Sequence, residues 1–376
     1  MEKIQMVDLV GQYQEIKKEL KTEFDSIFES ASFINGPAVK EFEQSLAKYL
    51  QVKHVIACAN GTDALQIALM AMDYKPGTEI ITTNFTFAAT VEVIHLLGLK
   101  PILVDIDPET FNIDIDKLES SITKKTRAMM PVHLFGQVCP MGELMLIALR
   151  HGLDIIEDNA QAIGAKYQFI NGDMKYAGTI GNIGTTSFFP AKNLGAYGDG
   201  GALFTNDDDL VHKIRAIANH GMSQRYYHDI IGVNSRLDTL QAAVLKTKLK
   251  YLDQYIEKRR VNAKKYHALL KGIPHLVLPK MPKLEDAHVW HQYTLRVTNG
   301  KRDELAHYLT KHNIPYGIYY PIPLHRQKAY IDNRSTDHHF PITCQFSQQV
   351  LSLPMHTEVT DEQTNYIAQT IKTFFD

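Results

Sequence analysis

Three absences narrow the classes of protein that this sequence can encode. It has only three cysteines, Cys58, Cys139 and Cys344, and their wide spacing fits neither a disulfide framework nor a zinc cluster. The 40 basic and 42 acidic residues give a formal net charge of -2, which favours neither nucleic acid nor an anionic membrane as a partner. No apolar run reaches the length of a membrane-spanning helix, and the N-terminal segment lacks a signal-peptide core. We therefore expect a cytoplasmic protein.

The apolar segments that are present predict a layered α/β fold. Seven of them have strand length and end in polar or glycine-rich turns: HVIACAN, TEIITTN, KPILVDID, TRAMMPVHLFG, LDIIEDNA, GTTSFFP and GGALFTN. Most are separated by helical patterns. Because their apolar character is continuous, both faces of the sheet should be covered by crossover helices, and ligands should gather at the carboxyl ends of the strands.

The pattern changes after about Leu245. A long charged helix, KTKLKYLDQYIEKRRVNAKKYHALL, leads into a proline-punctuated stretch and then into short strand and helix patterns. We therefore predict a large α/β domain at residues 1–250, including an N-terminal arm, and a small α+β domain at residues 251–376.

The first candidate site follows the strand HVIACAN. Asn60, Gly61, Thr62 and Asp63 lie between this strand and an expected helix, so free backbone N–H groups and the helix dipole should point at one spot that could hold a phosphate. The alternative is an ordinary helix cap supplied by Thr62 or Asp63.

A second candidate lies in LDIIEDNAQAIGA, where the carboxylates of Glu157 and Asp158 end an interior strand. A buried carboxylate needs a cationic or N–H partner, and a protonated ring nitrogen is one such partner for Asp158. Gln161, three residues later, could reach another atom of the same ligand if a helical turn follows. The alternative is a carboxylate that only caps the turn.

The segment SFFPAKNLGAYGDGGAL adds a lysine, Lys192, followed by four glycines between Gly195 and Gly201. In an enclosed site a lysine has a lowered pKa and can attack a carbonyl, although most lysines are solvated surface groups. An anion site, a buried carboxylate, the hydroxyl of Ser187 and this lysine are together the parts needed to hold pyridoxal phosphate as a Schiff base. The glycines would let the backbone turn closely behind the lysine.

The sequence resembles the DegT/DnrJ/EryC1/StrS family of pyridoxal-phosphate-dependent nucleotide-sugar aminotransferases over nearly its whole length. The motifs that carry the resemblance are NGTDAL, TNFTFAAT, PVHLFGQ, IEDNAQAIGA, SFFPAKNLGAYGDGGA, GVNSRLDTLQAAVL and YPIPLH. The resemblance implies the fold-type I aminotransferase architecture, with a seven-stranded, mostly parallel sheet covered by helices on both faces, and a homodimer.

The resemblance also implies roles for individual residues. Lys192 would form the Schiff base with pyridoxal phosphate and then move the proton between the donor Cα and the cofactor. Asp158 would keep the pyridine nitrogen protonated, Gln161 would bind the phenolic oxygen, and Phe87 would stack on the ring. The residues around the phosphate would be Gly61, Thr62, Asp63 and Ser187.

On the substrate side, the resemblance implies transfer of the amino group of L-glutamate to a keto group, at C3, of a nucleotide-linked hexose. Tyr319, Tyr320 and His325 would face the sugar, although relatives that act on 3-oxo sugars usually have a histidine in place of Tyr319. An arginine fork at Arg236 would suit a carboxylate or a diphosphate. Asn234 resembles the residue that reaches the phosphate of the other subunit, so the active sites would be shared across a homodimer.

Three other functions compete with transamination. A dehydratase of the same family usually replaces the Schiff-base lysine with histidine, whereas this chain keeps Lys192. A binding protein without catalysis would not need that lysine. A nicotinamide dehydrogenase needs a helix after its glycine-rich turn, whereas GAYGDGG leads into an apolar strand.

The histidines near these motifs are interpreted as structural. His288 and His291 in HVWHQY have a spacing that could suggest a metal site, but the segment has strand character, so their side chains should face opposite sides. His133 is expected to pack at a strand end. We therefore predict no metal.

Overall fold

The computed structural model describes residues 3–332 and 335–376. Its α-helices are α1 (Leu9–Ser30), α2 (Pro37–Leu50), α3 (Gly61–Met72), α4 (Ala89–Leu96), α5 (Ile115–Ser120), α6 (Met141–His151), α7 (Asp208–Ala218), α8 (Thr239–Leu249), α9 (Leu252–Leu270), α10 (Arg302–Lys311), α11 (Pro341–Ser347) and α12 (Asp361–Phe375). Its strands are β1 (His54–Cys58), β2 (Glu79–Thr83), β3 (Lys100–Val104), β4 (Thr126–Met130), β5 (Asp154–Asp158), β6 (Lys166–Gln168), β7 (Met174–Tyr176), β8 (Ile183–Ser187), β9 (Gly201–Thr205), β10 (Met222–Gln224), β11 (Tyr227–His228), β12 (Leu276–Val277), β13 (Tyr293–Val297) and β14 (Val350–Leu353).

The main sheet contains the seven strands predicted from the sequence, in the order β1-β9-β8-β5-β4-β2-β3. Strands β3, β2, β4, β5 and β8 pair in parallel, whereas β9 is antiparallel to both β8 and β1. Strand β1 therefore runs in the same direction as β8. Because six strands share one direction, the loops after β1, β2, β4, β5 and β8 leave the sheet at the same edge.

Apolar residues cover both faces of the central strands of the main sheet. On β2, Ile80 packs with helices α3, α4 and α7, whereas its neighbour Ile81 packs with α2, α6 and α8. Successive strand residues point to opposite faces, so a strand covered on both sides is buried at every position, as all five residues of β2 are. The mixed sheet with helices on both faces confirms the predicted fold class.

A second apolar cluster forms beyond the sheet. Tyr266 from α9, Trp290, Tyr293 from β13 and Ile371 from α12 belong to it, together with Ile4 from the N-terminal segment. Strand β13 lies between β12 and β14 in a small antiparallel sheet. The division of the chain at residue 250 stays a prediction, and this separate cluster is consistent with it.

The helices that follow the main sheet differ from the single long helix expected from the sequence. That charged segment forms two helices, because α8 ends at Leu249 and α9 begins at Leu252, with Tyr251 outside helical geometry at φ -108 and ψ 0. Leu249 and Leu252 are both buried, so the break lets each helix place its own apolar side in the core. Within residues 3–332 and 335–376, no helix is both long enough and apolar enough to span a membrane.

Candidate active site

A cavity of about 630 Å³ opens where the parallel strands of the main sheet end. Its wall includes residues from the loops after β1, β2, β4, β5 and β8, as expected for ligand sites of α/β sheets. Nine residues predicted from the sequence line it: Gly61, Thr62, Phe87, Asp158, Gln161, Ser187, Lys192, Tyr319 and Tyr320.

Lys192 projects from the loop between β8 and β9. Burial lowers the pKa of its amine to about 8, while the negative charge of Asp158 acts in the opposite direction. The loop turns tightly behind it, because a Cβ on Gly195 would lie 2.3 Å from the carbonyl oxygen of Pro190. A bulkier residue at 195 would displace the segment that carries Lys192. The lysine is therefore held in the cavity with an amine that is less basic than usual.

Asp158, the last residue of β5, is 4% exposed. One carboxylate oxygen accepts a hydrogen bond from Thr90 Oγ1 at 2.8 Å, and the other accepts from the backbone N–H of Ala160 at 3.1 Å. Thr90 is not among the predicted site residues. It lies in the first turn of α4, three residues after Phe87, and that spacing was a usable signal. A carboxylate with two donors keeps a fixed orientation and still has acceptor capacity towards the cavity.

Gln161 is fixed at both ends of its amide. Its Oε1 accepts from the backbone N–H of Phe135 at 2.7 Å, and its Nε2 donates to the hydroxyl of Tyr320 at 3.2 Å. Burial raises the pKa of Tyr320, so this phenol stays protonated. An amide nitrogen carries two hydrogens, which leaves Gln161 with one N–H for a ligand.

The neighbour of Asp158 has a different environment. Glu157 is fully buried and accepts hydrogen bonds from His133 Nε2 at 2.9 Å and from the backbone N–H groups of Gly178, Ile180 and Gly181 at 2.8, 2.7 and 2.6 Å. His133 and Glu157 thus tie β5 to the loop before β8, and neither is among the cavity-lining residues.

An anion-binding arrangement lies at the start of α3. The backbone N–H groups of Gly61 and Thr62 have no partner within residues 3–332 and 335–376, and the hydroxyl of Ser187 at the end of β8 is adjacent. A Cβ on Gly61 would lie 2.6 Å from Ser187 Cβ, so only glycine permits this close approach. Free N–H groups at a helix start are suited to a phosphate.

Asp63 differs from its predicted role. Its backbone N–H donates to the side chain of Asn60 at 2.8 Å, and its carboxylate accepts from Ser235 Oγ at 2.6 Å. Asn60 is therefore the helix cap, rather than Thr62 or Asp63 as in the alternative interpretation of this segment. Because the backbone N–H of Asp63 is bonded to Asn60, it cannot donate to a phosphate, contrary to the prediction. Asp63 is also not among the cavity-lining residues.

Aromatic rings form one side of the cavity. Phe87 is 59% exposed, and its ring centroid lies 6.5 Å from that of Tyr320. Tyr319 is held close to the backbone, because a Cβ on Gly317 would lie 2.3 Å from its ring. A flat ligand could contact the exposed face of Phe87.

His325 does not line the cavity, contrary to the prediction that it faces the sugar. Its Nδ1 accepts from Asn84 Nδ2 at 2.7 Å, an orientation fixed because Asn84 Oδ1 accepts from the backbone N–H of His325. Its Nε2 therefore carries the proton and donates to Asp337 at 2.9 Å. Both nitrogens are used inside the protein, so the ring is free for neither a sugar nor a metal, although Cys344 lies nearby.

Two other predicted residues lie outside the cavity of this single chain. Asn234 is exposed, and Arg236 is half-buried with its Nη1 3.4 Å from Asn219 Oδ1. They follow the exposed hairpin β10–β11, in which Arg225 packs over the ring of Tyr226. Their predicted roles at a cofactor or substrate require a second subunit and stay predictions.

Two further cavity residues have no predicted site role: His291, which was interpreted as structural, and Gln292. The strand expected at HVWHQY begins only at Tyr293, and Trp290 has a φ of 49°, so the expected alternation of His288 and His291 does not apply. His288 Nδ1 accepts from the backbone N–H of Trp290, whereas His291 faces the cavity.

The geometry fits pyridoxal phosphate. A phosphate suits the free N–H groups at Gly61 and Thr62, a pyridinium suits the carboxylate of Asp158, and an aldehyde suits the amine of Lys192. Gln161 retains an N–H for an oxygen on the ring. These groups line one cavity, so a single ligand can meet all of them.

Comparison with known proteins also indicates a pyridoxal-phosphate enzyme. The profile of the DegT/DnrJ/EryC1/StrS aminotransferase family matches residues 14–372. This chain belongs to that family. The DegT/DnrJ/EryC1/StrS aminotransferases are enzymes that depend on pyridoxal phosphate, which confirms the predicted family, enzyme class and cofactor.

Two similar relatives within curated proteins cover almost the whole chain. The pleiotropic regulatory protein of Geobacillus stearothermophilus is 46% identical over 99% of this chain and 98% of its own length. The UDP-2-acetamido-2-deoxy-3-oxo-D-glucuronate aminotransferase of Pseudomonas aeruginosa is 42% identical over 94% of this chain and 95% of its own.

Solved structures of the DegT/DnrJ/EryC1/StrS type share the fold over the same range. DesV of S. venezuelae, in complex with a ketimine intermediate, has a TM-score of 0.94 and 34% identity, covering 100% of this chain and 99% of its own. NtdA of Bacillus subtilis, with bound pyridoxamine phosphate, has a TM-score of 0.88 and 31% identity, covering 98% and 83%.

Proposed function

We propose that this protein transfers the amino group of L-glutamate to the keto group, at C3, of a nucleotide-linked keto-hexose. The observation that carries the proposal is the meeting of Lys192, whose pKa is lowered, with Asp158 and a phosphate-type anion site in one cavity. The product would enter amino-sugar and surface-polysaccharide synthesis in the cytoplasm.

Pyridoxal phosphate, when bound, supplies an electron sink that makes the Cα proton of an amino acid acidic. Lys192 Nζ would take that proton from the donor Cα and deliver it to C4′ of the cofactor. In the return half of the cycle it would move a proton from C4′ to the acceptor carbon. Its lowered pKa suits this work, because an amine that is protonated throughout cannot act as a base. Asp158, fixed by Thr90 and Ala160, keeps the ring nitrogen protonated and so maintains the sink.

The remaining side chains position the cofactor. Gly61, Thr62 and Ser187 would hold the phosphate at the start of α3, while the free N–H of Gln161 would donate to the phenolic oxygen. Phe87 would cover one face of the ring. The site holds the reacting groups through fixed elements on the sheet edge, which limits their motion during the proton transfer.

The nature of the acceptor rests on relatives and on the shape of the site. The Pseudomonas relative is named for a UDP-linked 3-oxo sugar acid, and a relative from Aneurinibacillus thermoaerophilus, 40% identical over 99% of both chains, is named a dTDP-3-amino-3,6-dideoxy-alpha-D-galactopyranose transaminase. The first name has a keto group at C3, and the second has an amino group at C3. Tyr319 and Tyr320 form the wall that would face the sugar, and Arg236 would meet a negative group of the substrate.

A homodimer with shared active sites completes this proposal. Asn234 is exposed and follows the hairpin β10–β11; Tyr226 in the hairpin and Ile231 after it are 75% and 85% exposed. Exposed apolar groups of this kind are suited to a protein interface. In the dimer Asn234 would reach the phosphate bound by the partner subunit.

The test is the visible absorption spectrum of the purified protein, with Lys192→Ala as the control. We expect a yellow protein whose band falls when L-glutamate is added and returns with a 3-oxo nucleotide sugar. A colourless protein that cannot be reconstituted with pyridoxal phosphate would contradict the site assignment. A yellow protein that ignores glutamate would instead support a dehydratase or a binding role.

A further inference from the structure

His291 is a buried polar side chain without a partner. It is 9% exposed and lines the same cavity as Lys192. Neither ring nitrogen makes a hydrogen bond within residues 3–332 and 335–376; Nδ1 is fully enclosed, so Nε2 is the nitrogen that a ligand in the cavity can reach. A buried polar atom without a hydrogen bond costs roughly 1–3 kcal/mol, so such atoms in a cavity wall point to a ligand.

The backbone that presents His291 is strained and strongly supported. Trp290 has a φ of 49°, a left-handed conformation that is unfavourable for a large side chain. The guanidinium of Arg259 donates to the carbonyl oxygens of Trp290, His291 and Met355 at 3.2, 3.3 and 2.8 Å. The ring of Trp290 also stacks on His288 with centroids 3.9 Å apart. Strain that is held in place by its surroundings is typical of functional sites.

The ring of His291 is neutral. Burial, together with the nearby charges of Lys192 and Arg259, holds its pKa well below the usual value. A neutral imidazole offers one donor and one acceptor but no charge, so it suits a hydroxyl or an amide rather than a carboxylate. The adjacent Gln292 also lines the cavity, and its Oε1 is buried without a partner.

We propose that His291 and Gln292 form a subsite that binds uncharged hydroxyl or amide groups on the hexose ring of the acceptor. This inference rests on the proposed function. The cofactor already has donors and acceptors elsewhere in the cavity, at Asp158, Gln161 and the start of α3. Glutamate carries two carboxylates that require cations, which a neutral imidazole and an amide do not provide. A hexose ring presents neutral hydroxyls to both side chains.

The experiment measures the two half-reactions separately by stopped-flow absorbance. The pyridoxal form is mixed with L-glutamate, and the pyridoxamine form is mixed with a 3-oxo nucleotide sugar. The variants are His291→Leu, His291→Asn, which keeps a donor and an acceptor, and Gln292→Leu. His356→Leu is the matched control, because His356 is also buried with an unpartnered Nε2 but is not among the cavity-lining residues.

We expect His291→Leu and Gln292→Leu to lower kcat/KM of the sugar half-reaction by about 10- to 100-fold, while the glutamate half-reaction changes by less than about threefold. His291→Asn should recover part of the loss, and His356→Leu should leave both half-reactions unchanged. Equal losses in both half-reactions would show that His291 acts on Lys192 or the cofactor and would overturn the proposal. Full activity with the sugar in a folded His291→Leu protein would also overturn the proposal. A wild-type protein that reacts with glutamate but with no keto sugar would refute the proposed function itself.

Discussion

The lowered pKa of Lys192 makes a quantitative prediction about the rate at which the protein without cofactor captures pyridoxal phosphate. Burial lowers this pKa from 10.5 to about 8, against the opposing charge of Asp158. At pH 7 about one Lys192 amine in ten is then neutral, compared with roughly one in three thousand for an ordinary lysine. Only the neutral amine attacks the aldehyde, so the structure should accelerate capture by about 300-fold at pH 7.

The assay follows the visible band after mixing cofactor-free protein with pyridoxal phosphate between pH 6.5 and 10. The rate should rise by about tenfold per pH unit below pH 8 and become constant above it. Asp158→Asn should move the midpoint to lower pH, because it removes the charge that stabilises the ammonium form. Lys248→Met is the control, since burial also lowers the pKa of Lys248, to about 7, yet Lys248 is not among the cavity-lining residues.

A midpoint near pH 10 would refute the reasoning, because Lys192 would then behave as a solvated amine. Loss of the titration in Lys248→Met would show that it belongs to the other buried lysine. A shift of the midpoint would not, because Lys248 Nζ donates to the carbonyl oxygen of Gly195 at 2.8 Å, in the loop that carries Lys192. An Asp158→Asn midpoint above that of the unaltered protein would show that the two groups do not interact as the geometry implies.

Three further predictions concern the anion site, the fold and the dimer. Gly61→Ala should destabilise the protein by about 1–3 kcal/mol and weaken cofactor binding, because the added Cβ would collide with Ser187. Denaturant titration measures the stability and cofactor titration the binding; wild-type values in both would contradict the prediction. Glu157→Gln should cost at least about 3 kcal/mol of unfolding free energy, because the new NH2 group faces N–H donors; a loss below about 1 kcal/mol in urea would count against it. Mixing Asn234→Ala with Lys192→Ala chains should restore about a quarter of wild-type activity if sites are shared; complete inactivity would argue against sharing.

The fold and the centre of the site could be predicted from local sequence features. Strands buried on both faces have continuous apolar runs, and parallel strands end at one edge, so residues after separate strands had to meet there. This logic brought Lys192, Asp158, Gln161 and Ser187 together. The sequence also predicted that the glycine-rich segment leads into a strand, and β9 begins there, at Gly201.

The positions of the other site residues depend on contacts between distant parts of the chain, which the sequence does not reveal. Asn84 is 241 residues from His325, and nothing local to either shows that they would bond and remove the histidine from the cavity. The backbone turn that points His291 inward is held by Arg259, far earlier in the sequence. Whether a polar atom is satisfied is a property of the packed protein, so Asp63 and His291 could be assigned only with the structure.

The paired carboxylates at the end of β5 have a consequence for how this chain can change. Neighbouring strand residues point to opposite faces, so Glu157 secures the fold while Asp158 serves the cavity. Replacing either residue damages one task and spares the other. Inserting or deleting a single residue within the strand would turn each carboxylate to the opposite face and damage both tasks together. A substitution at either position therefore impairs one task, whereas a change in the length of the strand impairs both, much as a shift of reading frame alters every codon after it.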